Sequence, residues 1–401
     1  MTRLLRGAVF NQANIYIFLW CLYFSQGSFY PTGSIISQMA LLILLCMSII
    51  NYYLTLTKYK FTSYLKWLHI LLLMFLIYGV ILLLSGERLI VRDSYVVTSN
   101  YEYLKAILIS ILPVFSAYAY TLRGQITSTS LKCWIPVWLL LAVVSYYTYQ
   151  QNALSLFMSR EEVTNNMAYR FLALMPVFVL FYRRTLVMVG GLLFCCLFIL
   201  LGMKRGVILM AVINLSVLLY YMYKNGNRQK KIYIIIASVI VILVLSFVVM
   251  QLLSTSDYFV SRIDATLEGN SSGRNDIYSS YWNYYITQDN LFNLLFGNGA
   301  NATLKIGSNY AHNDWLELLI NQGFLGAVIY VVYFMKFYKS IQLKKYGNPF
   351  YYIGLKMIFV IAFLSTIFSM SYASMEIFMT LTLGFLLAEV HKQSCNKYQF
   401  K

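Results

Sequence analysis

The chain has 401 residues, 60% of them hydrophobic and 17% aromatic, with only 11% charged and a formal net charge of +17. A soluble enzyme, in which about a quarter of the residues are charged, is excluded. Disordered, collagen-like and disulfide-stapled chains are excluded too, because apolar runs follow one another nearly end to end with only five prolines and six cysteines. What remains is an all-α, polytopic membrane protein.

In chain order, about twelve runs approach the roughly 20 apolar residues that cross a bilayer: 12–29, 34–54, 66–85, 101–121, 133–150, 168–182, 185–203, 206–222, 232–252, 313–335, 350–369 and 372–390. The expected organisation is spans 1–9 in residues 1–253, a large outer loop with short helices in 254–311, spans 10–12 in 312–391, and an inner tail over 392–401. The first run lacks a small-residue cleavage site and reads as a retained span. Arg183 and Arg184 mark a tight polar turn between two short spans. With both termini inside, inner segments hold 21 of the 31 Lys and Arg residues, and outer segments hold 13 of the 14 carboxylates. The positive-inside rule selects this orientation, so the basicity needs no nucleic-acid partner. Cys21, Cys46, Cys133, Cys195 and Cys196 fall in or at the ends of spans and Cys395 in the tail, where they read as small apolar residues.

The outer interval from Ser254 to Ala311 is long, polar and rich in aromatic residues, as a functional loop is. It delivers His312 to the start of a membrane helix. Asn313 or a neighbour can cap that helix, and Asp314 and Glu317 suit the positive end of its dipole. A histidine near such an end stays neutral more readily, as a general base requires; on residue type alone, an interfacial histidine that only bonds the cap is the better reading. Lys204 and Arg205 lie at an outer span end, and Arg274 sits in the loop before an aromatic helix. Guanidinium groups bind phosphate oxygens bidentately, so the set reads as a lipid-diphosphate site, against a bland reading of snorkelling and local ion pairs. Arg170 is the best of four further outer arginines. Arg88, Arg92 and Arg160 have carboxylates beside them in sequence. Glu376, near the outer end of the last span, can orient a substrate or satisfy one of these arginines. Asp257, Asp264, Asp276 and Asp289 are too scattered for a metal, and residues 7–57 contain no charged side chain, so no metal and no cofactor are expected.

With K-R-G at Lys204–Gly206, G-R-N-D-I-Y at Gly273–Tyr278 and H-N-D-W-L-E-L-L at His312–Leu319, the chain resembles the O-antigen polymerase and O-antigen ligase superfamily of bacterial inner-membrane glycosyltransferases. The resemblance covers roughly residues 200–335. It implies Arg205 and Arg274 as diphosphate-binding residues and His312 as the base, with Lys204 and Arg170 added as diphosphate-binding candidates from their positions at outer span ends. Transfer from an undecaprenyl-diphosphate-linked oligosaccharide is then metal-independent and inverting, at the periplasmic face of a multi-pass protein with both termini cytoplasmic. Tyr281, Trp282 and Trp315 are candidate sugar-stacking or interface-anchoring aromatics. The lipid bilayer and a chain-length regulator are expected partners. A polymerase is the favoured reading and a ligase that delivers glycan to lipid A-core the alternative. A lipid-linked oligosaccharide flippase is the reading from another class, disfavoured because the two halves show no symmetry.

Overall fold

The computed structural model describes residues 11–59, 62–86, 89–91, 96–98, 100–156, 163–226, 228–267, 273–307, 310–342, 348–368 and 376–398. Helices α1 (Gln12–Phe24), α2 (Ile35–Thr57) and α3 (Ser63–Ser85) start at polar caps. The side chains of Asn11, Ser34 and Thr62 accept from the amides of Asn14, Ser37 and Leu65, which satisfies donors that the first turn leaves free. A short antiparallel hairpin, β1 (Leu89–Val91) with β2 (Val96–Thr98), departs from the all-helical expectation. It lies in a polar connection between two spans, where strand pairing satisfies backbone groups that no helix covers.

Next come α4 (Asn100–Leu122), α5 (Ser128–Leu156), α6 (Ala168–Leu174) running into a 3₁₀ turn at Met175–Phe181, α7 (Thr185–Leu201), α8 (Arg205–Asn225) and α9 (Arg228–Thr255). Four short helices follow, α10 (Asp257–Leu267), α11 (Arg274–Ile286), α12 (Leu291–Phe296) and α13 (Ala302–Gly307). The chain then runs through α14 (Asp314–Gln342), α15 (Pro349–Phe368) and α16 (Ile377–Tyr398).

Among the described residues, each of the twelve expected runs has most of its length in helix. Among the described residues, seven helices are long and apolar enough to cross a membrane, namely α2, α3, α4, α5, α8, α14 and α15. Helix α1, α6 with its 3₁₀ turn, and α7 are apolar but shorter, because polar turns cut them. Residues 392–398, expected as a tail, continue α16 as helix.

In lipid, apolar burial gives helices no reason to prefer one another over acyl chains, so close packing and polar cross-links hold the bundle. Helix α4 is its most buried span. Gly384 of α16 lets the two backbones touch, since a Cβ there would stand 2.3 Å from the Val114 carbonyl oxygen. Tyr16 shares a hydrogen bond with Ser48 at 2.7 Å, and Tyr64 one with Tyr333 at 2.9 Å. His69 and His391 are engaged by Tyr52 and Tyr118. The described cysteines are free thiols. A second, smaller core of Tyr281, Ala302, Ala311 and Ile320 lies under the short helices, apart from the main one.

Candidate active site

Three helix starts meet at the last turn of α15. Helix α8 opens at Arg205, with Lys204 as an extended N-cap and Met203 left-handed at φ 52°. Helix α11 opens at Arg274 after Gly273. Helix α14 opens after His312, itself left-handed at φ 53°. The expected cap is Asn313, whose side-chain oxygen accepts from the amides of Trp315 at 3.0 Å and Leu316 at 3.3 Å. Residues with a Cβ rarely adopt positive φ, and those that do gather at functional sites. Here Met203 stands two residues before Arg205, and His312 stands directly before the cap of α14.

The junction is made by α15. Arg274 Nη1 donates to the Phe368 carbonyl at 3.2 Å. Gly206, next to Arg205, abuts the same residue, for a Cβ there would lie 3.2 Å from Phe368 Cβ. Trp315 Nε1 donates to Thr366 Oγ1 at 3.0 Å, and Tyr278 of α11 donates its hydroxyl proton to the His312 carbonyl at 3.4 Å. Segments far apart in sequence thus bring the helix starts that carry Arg205, Arg274 and His312 to the end of α15. Two guanidinium groups, Lys204 and three positive helix ends favour an anion there.

Arg170 belongs to the adjoining layer. Asn165 N–H donates to the Gly202 carbonyl at 2.9 Å, which seats the start of α6 against the turn that leads into Lys204. Arg170 itself bonds Ser145 Oγ and stands 3.8 Å from Glu376 Oε1. Of the two roles open to Glu376, the structure realises the pairing one, and Arg170 holds its charge beside the site, partly compensated. Arg88, Arg92 and Arg160 lie outside the described residues.

The three aromatic candidates separate. Tyr281 is buried, with its hydroxyl on the Thr303 carbonyl at 3.0 Å. That corrects its reading as a sugar platform, because the ring is enclosed by the smaller core. Trp315 is fixed by Thr366 and packs on Tyr330 and Phe334. Trp282 is exposed, as are Ile286, Leu291, Phe292 and Phe296 along α11 and α12. This apolar edge continues onto α3, where Tyr78 donates to the Phe296 carbonyl, and it suits the membrane interface. Trp282 fluorescence in nanodiscs is therefore expected to be quenched by lipids brominated near the headgroup more strongly than by aqueous iodide; the reverse order would place the edge in water.

Behind His312 lies a buried polar brace that periodicity did not reveal. Asp314 and Glu317, expected to serve the helix dipole, are both fully enclosed. Asp314 accepts from the Tyr330 hydroxyl at 2.8 Å. Glu317 accepts from Thr303 Oγ1 at 2.8 Å, from Asn321 Nδ2 at 3.0 Å and from the amide of Ala311. Helix α14 breaks at Gly323, where φ is 69° and ψ −170°. The carbonyls of Ile320 and Asn321 that the break releases accept from the amides of Asn298 and Gly299 at 2.9 and 3.0 Å. Gly297 of F-G-N-G and Gly323 of N-Q-G were the signal for this docking, since each marks a point of close backbone approach.

Below Arg205 an apolar groove of about 640 Å³ runs between α7, α8 and α9, past Ile208, Ala211, Leu215, Leu245 and Val249. Among the described residues, no three His, Cys, Asp or Glu side chains come together as a metal ion requires.

Residues 190–331 match the family model described as O-antigen ligase. No curated protein matches the chain. The matched stretch runs from α7 into α14 and contains Arg205, Arg274 and His312. This polytopic, helical membrane chain carries an O-antigen ligase family domain at residues 190–331, and that domain supports its place in the O-antigen polymerase and ligase superfamily.

Proposed function

We propose that the protein is a glycosyltransferase of surface-polysaccharide synthesis. It moves glycan from undecaprenyl diphosphate to a sugar hydroxyl of another lipid-linked repeat unit, at the periplasmic face of the bacterial inner membrane. The observation that carries this reading is the convergence of Arg205, Arg274 and the His312 turn on the end of α15. Arg205 and Arg274, with Lys204 beside them, hold the diphosphate and neutralise the charge that grows on it as the glycosidic bond breaks. Arg170, tied to Glu376, adds a more distant positive charge. His312 takes the proton from the acceptor hydroxyl while that oxygen forms its bond to the anomeric carbon. Attack opposite the leaving diphosphate inverts that carbon. The groove below Arg205 has the place and chemistry for the prenyl chain, and Trp282 is the exposed aromatic left for sugar or interface contact.

In this reading residues 1–253 and 312–391 form the membrane domain, 254–311 the periplasmic loop, and both termini are cytoplasmic, as the basic inner segments support. A chain-length regulator is a further partner of the proposed polymerase. The family description favours a second reading, a ligase that passes the same donor's glycan to lipid A-core. Complementation of a deletion strain separates the two. Wild type is expected to restore a long ladder of surface polysaccharide. Arg205→Ala and Arg274→Ala, each expected to lower transfer by about 10²–10³-fold, are expected to leave core plus one repeat unit. Polymer accumulating on undecaprenyl diphosphate instead identifies a ligase, and a normal ladder from both variants overturns the diphosphate assignment.

A further inference from the structure

We propose that Glu317 is a positioning residue for His312, a role that rests on His312 being the base. Glu317 is 0% exposed, and one oxygen of its carboxylate accepts the amide of Ala311, the residue directly before His312. The other oxygen accepts from Thr303 Oγ1 at 2.8 Å and Asn321 Nδ2 at 3.0 Å. Asn321 returns its own oxygen to the Thr303 amide at 3.1 Å. One side chain thus ties together the start of α13, the approach to His312 and the broken part of α14.

His312 needs such a tie. Its φ of 53° lies in the left-handed region, which is unfavourable for a residue with a Cβ and holds only when both flanks are fixed. Asn313 fixes the following side through its cap, and the Tyr278 hydroxyl takes the His312 carbonyl. Glu317 fixes the preceding side. Burial of a carboxylate is costly and does not by itself favour folding over an apolar residue of equal size. Its specific value here is two acceptor oxygens facing three donors, which glutamine, with one acceptor and two protons of its own, matches only in part. The purpose the geometry points to is precision in the His312 turn, since misplacement of a base by about 1 Å costs on the order of 10²-fold in rate.

The test is steady-state kinetics of the full-length chain in nanodiscs, with the undecaprenyl-diphosphate-linked repeat unit of its own strain as donor and acceptor. Glu317→Ala is expected to lower kcat about 10²-fold with KM for the lipid-linked unit little changed, because the arginines that hold the diphosphate are untouched. Glu317→Gln is expected to recover part of the loss. Unchanged kcat in folded protein, or a rise in KM in place of the fall in kcat, overturns the proposal. Should Glu317→Ala fail to fold, Thr303→Val removes one donor alone; a several-fold fall in kcat is then expected, and an unchanged kcat overturns the role. His312→Ala measured in parallel separates the two readings. Full activity there removes the base assignment itself, whereas an inactive His312→Ala beside an unaffected Glu317→Ala removes only the role of Glu317.

Discussion

His312→Ala is expected to abolish polysaccharide transfer while the protein still reaches the membrane and still binds its lipid-linked donor. General-base catalysis contributes about 10²–10⁴-fold, so in complementation the ladder is expected to collapse to core plus one repeat unit. The side chain contributes little to packing, because the turn is built by other groups: the Asn313 cap, the Tyr278 hydroxyl and the Ala311 amide on Glu317. Melting of the purified variant is accordingly expected within about 1 kcal/mol of wild type. A normal ladder refutes the base and moves the transporter reading forward.

Gly323→Ala has the larger expected effect on structure. With φ 69° and ψ −170°, the position lies in backbone space open essentially to glycine alone. An added Cβ would stand 2.4 Å from the Gly297 nitrogen and 2.5 Å from the Leu295 carbonyl. Neither obstacle is a side chain able to swing aside. Strain and overpacking together are expected to cost about 2–6 kcal/mol. The measurements are a thermal shift in detergent and protease sensitivity between α10 and α14. An unchanged melting temperature combined with unchanged proteolysis would show that α14 runs straight through this point. Gly297→Ala probes the other side of the junction, where a Cβ would meet the Asn321 carbonyl at 2.4 Å.

The helices were legible because the bilayer imposes one constraint, a long apolar run, and twelve such runs fall on helices. The turns that open α8, α11 and α14 were legible through Lys204–Gly206, Gly273–Tyr278 and His312–Leu319, whose charged and capping residues interrupt apolar sequence. What sequence did not convey was partnership across the fold. Nothing near Phe368 or Thr366 in the chain marks them as the meeting point of Arg274, Gly206 and Trp315, because backbone carbonyls and lone hydroxyls carry no pattern. Glu317 looked like a carboxylate matched to the helix dipole, and its burial was not legible, since period alone does not say which face a loop will cover. Tyr281 looked available for the same reason, although its neighbours Trp282 and Tyr278 point to different surroundings one residue and one turn away.

The separate small core of Tyr281, Ala302, Ala311 and Ile320 divides ownership of the site. Arg205 belongs to the membrane scaffold through α8, whereas Arg274 and His312 are carried by a cap with its own interior and its own glycine-lined seat on α14. Of the three cations proposed to hold the diphosphate, Lys204 and Arg205 are therefore built into the bundle and Arg274 arrives with the cap. Cohesive units of this kind open and close as wholes, with free energies below that of global unfolding. The bond from Arg274 to Phe368 joins the cap to the bundle, so the completeness of the proposed site depends on how the cap is seated as well as on the residues themselves.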